Sequence, residues 1–266
     1  MDTKPENILP ARNLDGALKR EALLQVGVGL GTTIILGWLA VVWAEFPSTQ
    51  IVIAGLLFVL FMGCILLWLP EHAPYRRLGA ANRITVFRAA LVANLAAATA
   101  FPTILAAHEL AVTAIMLITY ALDGVDGWVA RRLSISSRFG ARLDQELDAL
   151  FTMTLSLAIF RMEIAGAWIL LAGGWHYFFH GLRGAFPAFR NALPFSQRRR
   201  TICGTVVASL IASASPLLPP DYSEILALAA VVLLSTSFLI DIVWLWRLYG
   251  PSRRCGADGA AQQKQK

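Results

Sequence analysis

The chain of 266 residues is 57% hydrophobic and 15% charged, with 14 Phe and 8 Trp, whereas roughly 25% of residues are charged in an ordinary soluble domain. This excludes an intrinsically disordered chain, which is poor in apolar and aromatic residues, and a collagen-like or low-complexity one. The net charge of +6 is not gathered into a basic, aromatic-interleaved surface, so no nucleic-acid partner is expected, and anionic membrane lipids are the natural counterpart.

Eight apolar runs follow along the chain, near residues 23–44, 51–69, 84–101, 110–122, 147–160, 167–182, 202–218 and 225–246. Each predicts a membrane-spanning helix, because open sheets leave backbone groups unpaired in lipid and barrel strands alternate polar with apolar residues. The first run is longer than the apolar region of a signal peptide, about 7–15 residues, and no small-residue cleavage site follows it, so it is expected to be retained. The fourth and fifth runs are short for a hydrocarbon core of about 30 Å. They flank the most polar interior segment, and both are expected to continue into water as helices. With eight spans, the lysines and arginines fall in alternate loops, Arg88 being counted with the second of these, and only Arg161 falls on the other side. The positive-inside rule then puts both termini in the cytoplasm. Cys64, Cys203 and Cys255 are too few and too scattered for a disulfide framework or a zinc site.

The segment between the fourth and fifth runs carries Asp123, Asp126, Asp144 and Asp148. On helices the first pair is i,i+3 and the second i,i+4, so each pair lies on one face. Packed as an antiparallel hairpin with its turn at 133–137, the two edges form a cup of four carboxylates. Acids beside a bilayer are costly, about 2.5–3.5 kcal/mol each at the centre of a span, and like charges this close repel. A divalent cation removes the conflict, and an all-oxygen donor set suits Mg²⁺ or Mn²⁺, which also take phosphate oxygens. Gly127 and Ala130, with Gly140 on the opposing helix, remove bulk where a nucleotide or a neighbouring helix approaches, and Arg131 offers phosphate a charge-assisted donor. Solvated surface acids would not explain four carboxylates at helical spacing beside two glycines.

The pattern D-x2-D-G-x2-A-R-x8-G-x3-D-x3-D, filled by Asp123, Asp126, Gly127, Ala130, Arg131, Gly140, Asp144 and Asp148, resembles the signature of the CDP-alcohol phosphatidyltransferases. Asn82, Ile84, Thr85 and Arg88 are similar to the N-x-I-T-x2-R element of the family's first core helix. The resemblance implies an all-α polytopic membrane protein of about eight transmembrane helices, six of them the catalytic core. The parts are then a cytoplasmic N-terminal segment (1–22), two additional transmembrane helices (23–70), the six-helix core (71–249) and a mobile cytoplasmic tail (250–266). It further implies a homodimer in the cell membrane, the inner or plasma membrane if bacterial, with the site open to the cytoplasm. The implied reaction, in phospholipid biosynthesis, moves a phosphatidyl or related substituted phosphoryl group from a CDP-linked lipid donor such as CDP-diacylglycerol to an alcohol acceptor, releasing CMP. By position, Asp123, Asp126 and Asp144 would hold Mg²⁺ or Mn²⁺, and Asp148 would be the general base that also touches a second ion. Gly127, Ala130, Arg131 and Gly140 would line the CDP site, with Asn82 and Thr85 nearby. Two other readings stay open. The signature addresses the CDP half of the donor, so a CDP-aminoalcohol phosphotransferase with diacylglycerol as acceptor fits too; intramembrane acids also mark cation-coupled transporters.

Four weaker signals remain. His176 and His180 have the i,i+4 spacing of metal ligands but stand among interfacial aromatics, where hydrogen-bonded histidines are common. Arg198, Arg199 and Arg200 read as a topogenic, head-group-binding run, or, for Arg198 and Arg199, as an acceptor-phosphate site. Glu146 points away from its flanking aspartates on an ideal helix and so reads as solvated or paired between helices. Asp241 is expected to pair with Arg247 or to cap an interfacial cavity.

Overall fold

The computed structural model describes residues 16–72, 78–132, 137–191 and 196–249, and of Ala130 and Arg131 the backbone alone. The N-terminal residues before Gly16, most of the expected turn at 133–137, Cys255 and the tail from residue 250 lie outside these residues. The described chain is helical throughout, with no strand among the described residues. In order come α1 (Gly16–Ala44), α2 (Thr49–Leu66), α3 (Gly79–Ala98), α4 (Pro102–Ala107), α5 (Glu109–Arg132), α6 (Arg138–Arg161), α7 (Leu170–Ala185), α8 (Gln197–Ser213) and α9 (Pro220–Tyr249). Short 3-10 turns occupy Leu69–His72, Ala167–Ile169 and Pro187–Arg190.

The eight longer helices overlie the eight apolar runs. As expected, α5 and α6 extend well past their runs toward each other. The start of α6 has a local cause: Ser137 precedes the helix, and its Oγ accepts the Gly140 N–H at 3.0 Å, an N-cap bond that satisfies one of the free donors of the first turn. The short helix α4 was not expected. Pro102 explains it, since a proline at a helix start loses no bond and has its φ already set, and the chain resumes a helix directly after α3.

By length and composition, α1, α2, residues Glu109–Val129 of α5, and α9 suffice to cross a membrane. Large apolar side chains such as Leu24, Trp43, Leu60 and Ile225 stand exposed on them, as they do where lipid is the solvent. The protein is an integral membrane protein.

The chain divides into two compact units, Met1–Phe101 with Ile118–Asp148, and Pro102–Leu117 with Ala149–Lys266. In the first, α1, α2 and α3 pack on one another pairwise. In the second, α8 and α7 each pack against α9. There Trp175 stacks on Phe238 at 5.6 Å and donates its Nε1–H to Ser235 Oγ at 2.7 Å, so the indole buries its ring and keeps its polar edge satisfied. Gly173 admits the neighbouring backbone: a Cβ there would lie 2.4 Å from Met153 Cα.

Candidate active site

One face of α3 presents Asn82, Thr85 and Arg88, each three residues from the last. Arg88 is fully buried, and a guanidinium in such a place requires anions. It has four. Its Nη1 donates to Asp126 Oδ2 at 2.9 Å and to Asp144 Oδ1 at 3.1 Å. Its Nη2 lies 2.8 Å from Asp123 Oδ1 and 2.9 Å from Asp148 Oδ1. Each terminal nitrogen thus joins one carboxylate of α5 to one of α6, and three helices meet at one side chain. The i,i+3 and i,i+4 spacings read from the sequence do face each other, across an arginine.

Thr85 braces the most buried acid, donating to Asp126 Oδ2 at 3.2 Å. Asn82 donates to the Leu78 carbonyl oxygen at 2.5 Å, which aims its Oδ1 at α6, where a Cβ on Gly140 would sit only 2.8 Å away. A side chain at Gly140 would push Asn82 off this position. Gly127 is half-buried beside Asp126. The side chains of Ala130 and Arg131 lie outside the described residues.

Among the described residues, four carboxylates share one guanidinium. Partial burial and then the negative charges of Asp123 and Asp126 push the Asp144 carboxyl up to about 6, against the pull of Arg88. Asp123, Asp126 and Asp144 each offer an oxygen within 4.8 Å of the others, a hard, anionic donor set of the kind that suits Mg²⁺ or Mn²⁺. The residues present therefore fit a divalent cation.

The sequence places Arg88 in the N-x-I-T-x2-R element, but there Arg88 has no assigned role at the site and is counted among the cytoplasmic loop charges. The structure corrects this, because Arg88 lies inside α3 under four acids rather than at a surface. The available signal was its position within an apolar run, on the helical face of Asn82 and Thr85; a charge inside a span is by default functional.

A second charged cluster stands in the other unit. Arg198 Nη2 meets Asp241 Oδ1 at 2.7 Å, and Arg199 Nη1 meets Asp241 Oδ2 at 3.5 Å. Asp241 therefore pairs not with nearby Arg247, as its place in the sequence suggests, but with arginines that α8 brings across to α9. These arginines occupy the first turn of α8, where the helix dipole disfavours cations, and a buried carboxylate compensates. Arg198 Nη1 is buried without a hydrogen-bond partner. The rings of His176 and His180 lie tilted with centroids 4.3 Å apart, and His180 Nδ1 lies 3.1 Å from the His176 carbonyl oxygen. Cys64 and Cys203 are exposed and form no disulfide.

Compared with known proteins, residues 78–236, more than half of the chain, match the family model CDP-alcohol phosphatidyltransferase. No curated protein and no solved structure matches the chain.

Proposed function

The chain belongs to the CDP-alcohol phosphatidyltransferase family and is a membrane transferase that moves a substituted phosphoryl group from a CDP-alcohol to an acceptor; we propose that its donor is a CDP-diacylglycerol-like lipid and its acceptor a small alcohol. The observation that carries this reading is the set of four carboxylates converging on Arg88, in the segment that matches the family.

Asp123, Asp126 and Asp144 would hold Mg²⁺ or Mn²⁺, with Asp148 at the edge of the set. The chemistry such an ion supplies when bound is neutralisation of the charge on the pyrophosphate and on departing CMP. Asp148 takes the proton from the acceptor hydroxyl. The freed oxygen attacks the β-phosphorus, the bond from that phosphorus to the bridging oxygen breaks, and CMP carries away the electron pair. Arg88 fixes Asp148 and Asp123 through one nitrogen and Asp126 and Asp144 through the other, so the base and the cation ligands keep one relative geometry. Gly127, Ala130, Arg131 and Gly140, with Asn82 and Thr85, line the CDP side in this reading. The termini and the site face the cytoplasm, and the enzyme is a homodimer.

Purified protein in detergent, given CDP-diacylglycerol, Mg²⁺ or Mn²⁺ and a panel of glycerol 3-phosphate, serine, inositol, inositol 1-phosphate and choline, should release CMP with one of them. Release only from CDP-aminoalcohols with diacylglycerol would reverse the roles of donor and acceptor. Asp148→Asn should lower turnover by about 10²–10⁴-fold, the usual weight of a general base, while Mn²⁺ binding persists. A fully active Asp148→Asn protein removes this residue from the base role.

A second observation bears on the acceptor. Arg198 Nη1 is buried with no hydrogen-bond partner, which supports a phosphate on the acceptor. Arg198→Ala and Arg199→Ala should then raise the acceptor KM by about tenfold, the order of one charge-assisted hydrogen bond, with kcat little changed. An unchanged KM excludes the reading.

A further inference from the structure

The family match begins at residue 78, yet the helices before it touch two of the three elements that carry the site. We propose that α1, α2 and the 3-10 turn after them form a bracket that sets the positions of α3 and α6, with Gly29 and His72 as its positioning residues.

The first contact is on the rear of α3. At 3.6 residues per turn, Arg83 and Asn94 lie about 100° or more round the helix from Asn82, Thr85 and Arg88, and Val86 stands at the edge between the two faces. That rear side is the one α1 and α2 hold. A Cβ on Gly29 would lie 2.4 Å from Phe58 Cζ and 2.7 Å from Val86 Cγ1, so α1 packs against α2 and α3 closely enough that any side chain at 29 would displace Phe58 or Val86. One turn and more along, Asn94 donates to the Thr33 carbonyl oxygen at 3.1 Å and receives Gln50 Nε2 at 3.2 Å on its own Oδ1. Amide bonds of this kind fix register between helices whose apolar contacts alone allow sliding.

The second contact is on the cap of α6. His72 is fully buried, packs edge-on against Phe139 with centroids 5.6 Å apart, and brings its Nδ1 to 2.8 Å from Ser137 Oγ. That oxygen is the acceptor that starts α6. Beside it, Glu71 receives Arg142 Nη1 at 3.1 Å, and Arg142 lies over the Trp68 ring at 4.5 Å. Asp144 and Asp148 follow in the next turns of the same helix. The bracket therefore grips α3 behind Arg88 and α6 below its two acids, without itself contributing a group to the cluster.

The test reads backbone opening by hydrogen–deuterium exchange on the full chain in detergent, without metal or donor. His72→Phe keeps the ring packing and loses the bond to Ser137; exchange across residues 137–148 should rise by about fivefold, and His72→Gln, which can still reach the hydroxyl, should recover most of it. Gly29→Leu should raise exchange across 82–94, and adding Val86→Ala should reverse that change; Gly29→Ala asks the same question more gently if the leucine variant does not fold. Changes confined to α1, α2 and residues 69–72 in both variants would overturn the proposal. The kinetic arm rests on the function proposed above: kcat should fall by about tenfold with the donor KM little changed, as for misplaced but intact groups. If wild-type protein releases no CMP from any donor, that function fails, and the exchange arm still decides for or against the bracket.

Discussion

Among the described residues, two charged clusters have opposite compositions. In the first unit one buried arginine serves four aspartates; in the second, one buried aspartate serves two arginines. A purely structural buried ion pair tends to balance, because each uncompensated charge taken from water costs several kcal/mol. Asp144, Asp148, Arg198 and Arg199 stay partly exposed, so water offsets part of that cost in both clusters. The acid-rich cluster is suited to a cation, and the buried Arg198 Nη1, without a hydrogen-bond partner, to an anion.

The strongest way to break this contrast is at Arg88. Arg88→Leu removes the cation that four acids share, and loss of one partner in a buried pair costs about 3–5 kcal/mol. The expected outcome is a protein that does not accumulate in folded form in the membrane. Arg88→Lys sharpens the point, since a single ammonium cannot present two nitrogens to four carboxylates. It should fold and lose about 10²-fold in turnover, the order that a misplaced constellation costs. Wild-type turnover in Arg88→Lys would show that the guanidinium only supplies charge.

In the second cluster the same experiment should have a smaller effect. Arg198 and Arg199 keep 37% and 26% of their side chains exposed, so water compensates part of what Asp241 provides. Asp241→Asn should cost about 1 kcal/mol, near the upper end for a partly exposed pair, and inorganic phosphate should raise its thermal midpoint more than that of the wild type. Equal responses to phosphate would mean that the arginines hold no anion-binding capacity beyond their partner.

These contrasts also mark what the sequence made legible. Apolar runs and helical spacings are local, so the positions of the eight longer helices and the pairing of Asp123 with Asp126 and of Asp144 with Asp148 could be read directly. The counter-charges could not, because they come from far along the chain: Arg88 reaches acids on two other helices, and Asp241 is paired from α8 rather than by nearby Arg247. A one-residue cause was also hidden at two helix starts. Pro102 starts α4 where an apolar run seemed merely to end, and Ser137, aligned by His72, sets where α6 begins and hence which way its acids face.

The smallest expected effect concerns cation and proton at the first cluster. The Asp144 carboxyl stands at about 6 in the folded protein, above its ordinary 3.8, so between these values the folded state binds more protons than the unfolded one. Stability then falls as pH rises through that window: the contribution is fully present below 3.8 and gone above about 6, where the carboxylates repel beyond what Arg88 offsets. A divalent cation acts in the same place as the proton and should replace it. Mn²⁺ should therefore raise the thermal midpoint by mass action more at pH 7.5 than at pH 5.5, where protons already relieve the cluster. Asp144→Asn, which carries no charge at either pH, should flatten this difference. A Mn²⁺ shift equal at both pH values would place the cation somewhere other than on these carboxylates.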